Sequence, residues 1–173
     1  MQPHPFIGKE LADILCITTP AEYKVHLARF DDSIPDQKRK NPLQVFKESR
    51  RAWNNWNSNS SLWPPGNRLD RRYNISMVRT DSDKNRWLFC CVFEMLAAWD
   101  EEPNDQNEFH KKRRCYEIRT IDLGKKYRGL LEVSYDPGQR EGSTHVYVDL
   151  EKVTNGLVVA RVLPKPFQDW LWP

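Results

Sequence analysis

The strongest chemical pattern in the chain is a run of cations interleaved with large rings. Trp53, Trp56, Trp63, Arg68, Arg71, Arg72 and Tyr73 fall within one short stretch. Stacking on nucleobases together with neutralisation of phosphates calls for that combination of residue types. From Lys38 to Arg72 nine basic residues stand against two acidic ones, in a chain whose net charge is only +3. A second basic cluster, Lys111-Lys112-Arg113-Arg114, follows an acidic run made of Asp100, Glu101, Glu102, Asp105 and Glu108. Charge is therefore segregated along the chain, as a phosphate-facing surface requires, although a solvated charged face has the same composition.

Residue types that support catalysis occur without the spacing that catalysis needs. A metal-dependent nuclease of the PD-(D/E)xK type holds carboxylates and a lysine on adjoining strands around Mg²⁺. Pro35-Asp36-Gln37-Lys38 compresses those letters into one loop, and Glu22-Tyr23-Lys24 has no upstream Pro-Asp partner. There is no GxSxG elbow and no glycine-rich phosphate loop. His26 lies inside a strand and reads as a packed residue rather than a base, while His145 follows a Gly-Ser turn and reads as a rim residue. Cys90 and Cys91 are strand neighbours that point to opposite faces, so they do not share one ion easily, and His110 with Cys115 is too small a ligand set. No catalytic residue, metal or cofactor is assigned, and the expectation is a binding protein rather than an enzyme.

At 173 residues the chain is expected to form a single domain, 1–173, with 39% hydrophobic and 29% charged residues. No apolar run is long enough to span a membrane and the N-terminal stretch lacks the pattern of a signal peptide, which gives a cytoplasmic expectation. Cys16, Cys90, Cys91 and Cys115 lack the spacing of a disulfide framework, in keeping with a reducing compartment. The sequons at Asn59 and Asn74 would then carry no glycan.

The elements that must position these residues follow from periodicity. Residues 8–15 read as a short N-terminal helix. Tyr23 to Phe30 alternates apolar and polar residues and reads as a half-buried strand. Asn41-Pro42 resembles a helix start, and Leu43, Phe46, Arg50, Trp53 and Trp56 fall near one helical face, so a helix is expected over 42–57 with Trp53 and Trp56 in the core. Trp63 follows that helix in an irregular basic loop, where a large ring needs a partner. Residues 72–163 read as β-rich. Strands are expected over 72–80, 86–96, 116–122, 129–135, 144–149 and 156–163; the first two form a hairpin whose second strand is central. About seven strands, two or three flanking helices and no regular βαβ alternation predict an α+β fold built on a strongly curved mixed sheet or pseudobarrel. Residues 164–173 form an aromatic C-terminal tail.

The order of these elements is similar to a known arrangement. Tyr23-Lys-Val-His-Leu-Ala-Arg29, Asn41-Pro-Leu-Gln-Val-Phe46, Trp53-Asn-Asn-Trp56, Arg72-Tyr-Asn-Ile-Ser-Met-Val78 and Arg86-Trp-Leu-Phe-Cys-Cys-Val-Phe-Glu94 resemble the N-terminal domain that precedes the nuclease in a family of bacterial GIY-YIG proteins. Tyr127 to Tyr135 and Leu157 to Pro164 also look like that domain. The Gly-Ile-Tyr and Tyr-Ile-Gly motifs are absent, so nuclease activity does not carry over. The resemblance implies a module that selects DNA for a restriction-type nuclease, and by fold analogy a PUA-like or B3-like pseudobarrel of the kind that reads modified or flipped bases. The expected function is a non-catalytic DNA-binding or modified-base-sensing domain. Its expected contacts are Trp63, Arg68, Arg71, Arg72, Tyr73, Lys111, Lys112, Arg113 and Arg114, and its expected partners are DNA, plain or modified, and a nuclease domain or chain, with no membrane. The alternative is a protein-interaction module that docks on a nuclease through the aromatic tail, where Phe167, Trp170 and Trp172 crowd one chain end.

Overall fold

A computed structural model of the chain describes residues 4–28, 52–54, 70–79, 85–101, 113–138, 145–153 and 156–166. Eight strands lie among them: β1 (Tyr23–Ala28), β2 (Ala52–Asn54), β3 (Tyr73–Arg79), β4 (Arg86–Glu101), β5 (Arg113–Ile121), β6 (Leu131–Ser134), β7 (His145–Asp149) and β8 (Val158–Val162). They form one mixed sheet in the order β2-β5-β4-β3-β1-β7, with β6 joined to β4 and β8 to β6. The β1/β3 pairing is parallel, whereas every other strand pairing is antiparallel.

The sheet curls because β4 serves two neighbours along one edge. Arg86–Leu88 pair with β6, and Val92–Glu101 pair with β5, while β3 occupies the other edge. Bulges between Ser76 and Met77, between Met95 and Ala97 and between Glu132 and Val133 add to the twist. All seven expected strands are present, and the expected hairpin is β3–β4 with β4 central. Two are longer than the sequence suggested: β4 runs on to Glu101 and β5 begins at Arg113. Asp100 and Glu101, read from the sequence as loop residues, thereby face Arg114 and Arg113 across the ladder.

Among the described residues helix is scarcer than expected. The segment 8–15 yields a single turn, α1 (Leu11–Ile14), because the residues just before it bond to β8 through an isolated antiparallel bridge between Glu10 and Val158. Gly8 N–H donates to the Val159 carbonyl at 2.8 Å, Val159 N–H to Lys9 at 2.9 Å and Leu11 N–H to Leu157 at 2.8 Å. Cys16 then adopts φ 55°, which ends the turn. The helix expected over 42–57 is contradicted at Ala52–Asn54, which pair antiparallel with Glu117, Tyr116 and Cys115. Backbone groups engaged in a ladder are not free for helical bonds, and the apolar spacing that suggested a helix carries no information about that long-range partner. The rest of 42–57 lies outside the described residues. Three-residue 3-10 turns at Pro20–Glu22, Lys125–Tyr127 and Leu150–Lys152 complete the described elements. No helix among the described residues is long and apolar enough to cross a membrane.

One face of the sheet builds the apolar core. Val25 and Leu27 of β1, Ile75 and Met77 of β3, Trp87, Phe89 and Val92 of β4, and Leu131, Val133 and Val159 beyond them are all fully buried. Leu11 and Leu15 of the N-terminal turn close over them. Trp87 combines complete burial with a bond from its Nε1 to the Tyr135 carbonyl at 2.9 Å, so the ring is fixed in orientation as well as depth. Gly124 passes close to this core at φ +68°, a backbone region that side chains disfavour.

The opposite face of β1 and β3 departs from the sequence reading. A half-buried strand keeps one face in solvent, yet Lys24 is fully buried, as are Asn74 and Ser76 on β3, and His26 is buried as its reading as a packed residue expects. The strand is covered on both sides.

A polar end of the sheet as candidate nucleic-acid interface

The start of β1, the start of β3 and the end of β7 lie side by side, since Lys24 pairs in register with Asn74 on one side and Asp149 on the other. This brings together residues that are far apart in sequence. Lys24 Nζ lies 2.8 Å from Asp149 Oδ1 and 2.9 Å from Asp70 Oδ1. Asp149 Oδ2 accepts from Lys152 at 2.8 Å, and its Oδ1 also accepts from Arg71 Nε at 3.4 Å. Arg71 Nη2 reaches Glu151 at 3.3 Å. Burial alone would push the Asp149 carboxyl up, but bonds from Lys152 and Lys24 and the Lys24 charge hold it well below the usual carboxylate range. Three cations and three carboxylates thus form a charge-balanced network around one buried ammonium.

Beside it runs an aromatic column. The Tyr23 and Tyr73 rings stack with centroids 5.0 Å apart and planes 27° apart, and the Arg72 guanidinium sits 4.9 Å from the Tyr73 centroid. Burial, with the nearby Tyr73 hydroxyl, raises the Tyr23 phenol, so it stays neutral. Arg72 donates through Nε and Nη2 to Glu94 Oε1, each at 3.2 Å, and Arg119 binds the other oxygen of the same carboxylate. The hydrogen bonds from Arg119 and Arg72 lower the Glu94 carboxyl below its ordinary value. Two arginines share one acid, and both keep about 60% of their side-chain surface in solvent, at 59% and 61%. Both guanidinium groups are thus largely open to solvent.

One step further along β3, Asn74 stands between Lys24 of β1 and Phe93 of β4. Its side chain is fully buried, and among the described residues neither its amide nitrogen nor its amide oxygen has a hydrogen-bond partner. Leaving a buried polar group unmatched costs about 1–3 kcal/mol for each group, so the fold tolerates a substantial local penalty here. Such burial also removes Asn74 from any role as a glycan acceptor in the folded chain. Two residues on, Ser76 Oγ lies 3.5 Å from His26 Nδ1, and the His26 ring stacks on Tyr147 at 5.0 Å and 16°. Burial pushes the His26 imidazole down to about 3, so it is neutral at physiological pH, in agreement with its reading as a packed residue.

Of the residues expected to contact nucleic acid, Arg71, Arg72 and Tyr73 fall together at this end of the sheet. Arg71 is engaged by Asp149 and Glu151, so a phosphate would compete with carboxylates for it. The backbones of Arg113 and Arg114 lie at the start of β5. Trp63, Arg68, Lys111 and Lys112 lie outside the described residues, as does the tail 167–173. Sequence reading missed Lys24, Asp70, Asn74 and Asp149. For Lys24, Asn74 and Asp149 the only signal was alternation with apolar neighbours, which a solvent-facing strand shares, and Asp70, between Leu69 and Arg71, carried no such signal.

No group of three or more His, Cys, Asp or Glu side chains capable of holding a metal occurs among the described residues. Ser76 pairs with Cys91 and Met77 with Phe89, so Cys90 is the extra residue of a bulge and strict alternation fails there. Burial raises both thiols, that of Cys91 to about 12, so neither is a thiolate nucleophile at neutral pH. None of the protein-family models, curated proteins or solved structures compared with this chain matches it.

Proposed function

We propose that the chain is a non-catalytic DNA-binding domain of the base-sensing kind, built on a PUA-like or B3-like pseudobarrel and serving a restriction-type nuclease. The observation that carries this reading is the column of Tyr23, Tyr73 and Arg72, in which two stacked rings end in a largely exposed guanidinium. A guanidinium over an aromatic face binds phosphate while the ring beneath keeps it oriented. Arg119 adds a second exposed cation beside it, and the basic stretch from Lys38 leads into Arg72. The resemblance to the domain upstream of GIY-YIG nucleases supports the association with a nuclease.

The test is binding to duplexes carrying unmodified, methylated, hydroxymethylated or glucosylated cytosine at two salt concentrations. Affinity is expected to fall steeply with salt. Absence of salt-dependent binding to every duplex would overturn the reading.

A second reading, a protein-interaction module, is favoured by one feature. Leu96, Ala97, Ala98 and Trp99 are all exposed on the outer half of β4, with Leu96 at 50% and Trp99 at 39%. A run of apolar residues in solvent suits a protein partner such as the nuclease itself. Loss of nuclease capture on Leu96→Asp/Trp99→Asp, with DNA binding intact, would distinguish the two.

A further inference from the structure

We propose that the Asn74 carboxamide is the hydrogen-bonding element of a site for a nucleobase, recognising an edge on which a donor and an acceptor lie side by side. The inference rests on the DNA-binding reading above and adds the residue that reads the base. A carboxamide presents an N–H donor beside a C=O acceptor in one plane, the pairing by which asparagine engages an adenine edge bidentately. In this fold both halves of that group are buried and neither is bonded among the described residues. Buried polar atoms are almost always matched, so the carboxamide is poised for a partner that the described residues do not supply.

The surroundings suit a flat, uncharged guest. Phe93 stands opposite Asn74 on β4, and His26 is neutral. Lys24, opposite on β1, has its charge balanced by Asp70 and Asp149. Asn74 follows Tyr73 on β3, so its side chain and the Tyr23–Tyr73 column lie at the same end of the strand on opposite faces of the sheet. Enzymes and sensors that examine a single base take it out of the stack, most readily at a mismatch.

The experiment uses three duplexes of one sequence whose central position is a matched pair, a C·A mismatch or an abasic site. The wild-type chain is expected to bind the mismatch about tenfold more tightly than the abasic duplex. Asn74→Leu, which replaces the amide by an apolar group of similar shape, should bring the two within about twofold while leaving the salt slope unchanged. Its melting temperature should equal or exceed that of the wild type, because two unmatched polar atoms are removed. Asn74→Ala, measured alongside, guards against a packing defect particular to leucine. A mismatch preference that survives both variants would overturn the assignment of Asn74 and leave the DNA-binding reading standing, as would equal wild-type affinity for the mismatched and abasic duplexes. A lowered melting temperature in both variants with unchanged preference would show an amide matched internally, for example by water, and would also overturn it. Failure of the wild type to bind any duplex would remove both the inference and the reading beneath it.

Discussion

Lys24 Nζ and Asp149 Oδ1 are 2.8 Å apart and come from positions 125 residues apart in sequence, with the lysine side chain wholly removed from solvent. The pair ties β1 to β7, and Asp70 ties both to the entry of β3. Desolvating the ammonium is expensive, so the pair is better understood as fixing the register of three strands than as net stabilisation. Removing one partner is another matter. Lys24→Met should lower the unfolding free energy by about 3 kcal/mol, read from urea midpoints, because it leaves Asp149 buried with less compensation. Adding Asp149→Asn should recover part of that loss. A single variant within about 0.5 kcal/mol of wild type would refute this account.

Acid should act on the fold in two stages. His26 has its imidazole pushed down to about 3 from an ordinary value of 6.5, so the unfolded chain takes up a proton that the folded chain refuses. Stability is therefore complete above pH 6.5 and declines as pH falls toward 3, by about 1.4 kcal/mol per pH unit for the one proton. Asp149 is depressed, so its contribution is present above the ordinary aspartate value and is lost only as pH falls below it. Denaturant titrations from pH 7 to 4 should show the first slope in wild type and a markedly smaller one in His26→Gln. An unchanged slope in the variant would assign the proton uptake elsewhere.

Two glycines in the left-handed region should respond differently to alanine. A Cβ at Gly124 would stand 2.5 Å from Leu15 Cδ2 and 2.9 Å from Phe89 Cζ, whereas a Cβ at Gly8 meets nothing within 4 Å. Gly8→Ala should cost about 1 kcal/mol, the conformational term alone. Gly124→Ala adds overpacking against the core and should cost about 2–4 kcal/mol. Thermal melts of the two variants side by side would decide it, and equal losses would contradict the crowding at Gly124.

Arg72 allows binding to be separated from stability. Its partner Glu94 keeps Arg119, so Arg72→Ala should leave the urea midpoint close to that of wild type. The same variant should weaken binding to all duplexes alike and reduce the slope of log affinity against log salt by about one. Arg71→Ala is a poorer probe, since it also disturbs Asp149. An unaltered salt slope in Arg72→Ala would place the phosphate contact on other cations.

The sheet was largely legible in the sequence because alternation and turn residues are local signals. All seven expected strands exist, and the hairpin of β3 and β4 was readable from its turn. What failed was whatever depended on a distant partner. Ala52–Asn54 carry a convincing helical spacing, but β5 claims their backbone. Lys24 alternates with apolar neighbours as a solvent-facing residue would, and nothing within one strand reveals that its polar side is covered. The candidate site divides in the same way. Arg72 and Tyr73 stood out through composition, whereas Asn74, Asp70 and Asp149 acquire meaning only once β1, β3 and β7 are side by side.

The place of β1 in the sheet has a consequence for synthesis. Its neighbours are β3 and β7, and the latter emerges from the ribosome more than a hundred residues later. At ordinary translation rates the edge of β1 that β7 covers stays open for on the order of ten seconds. Through that interval Lys24 and His26 are hydrated polar groups set between apolar ones, the pattern that keeps an unpaired strand from joining another chain. The lysine that is expensive to bury at the end is thus a safeguard for the nascent strand until its aspartate arrives.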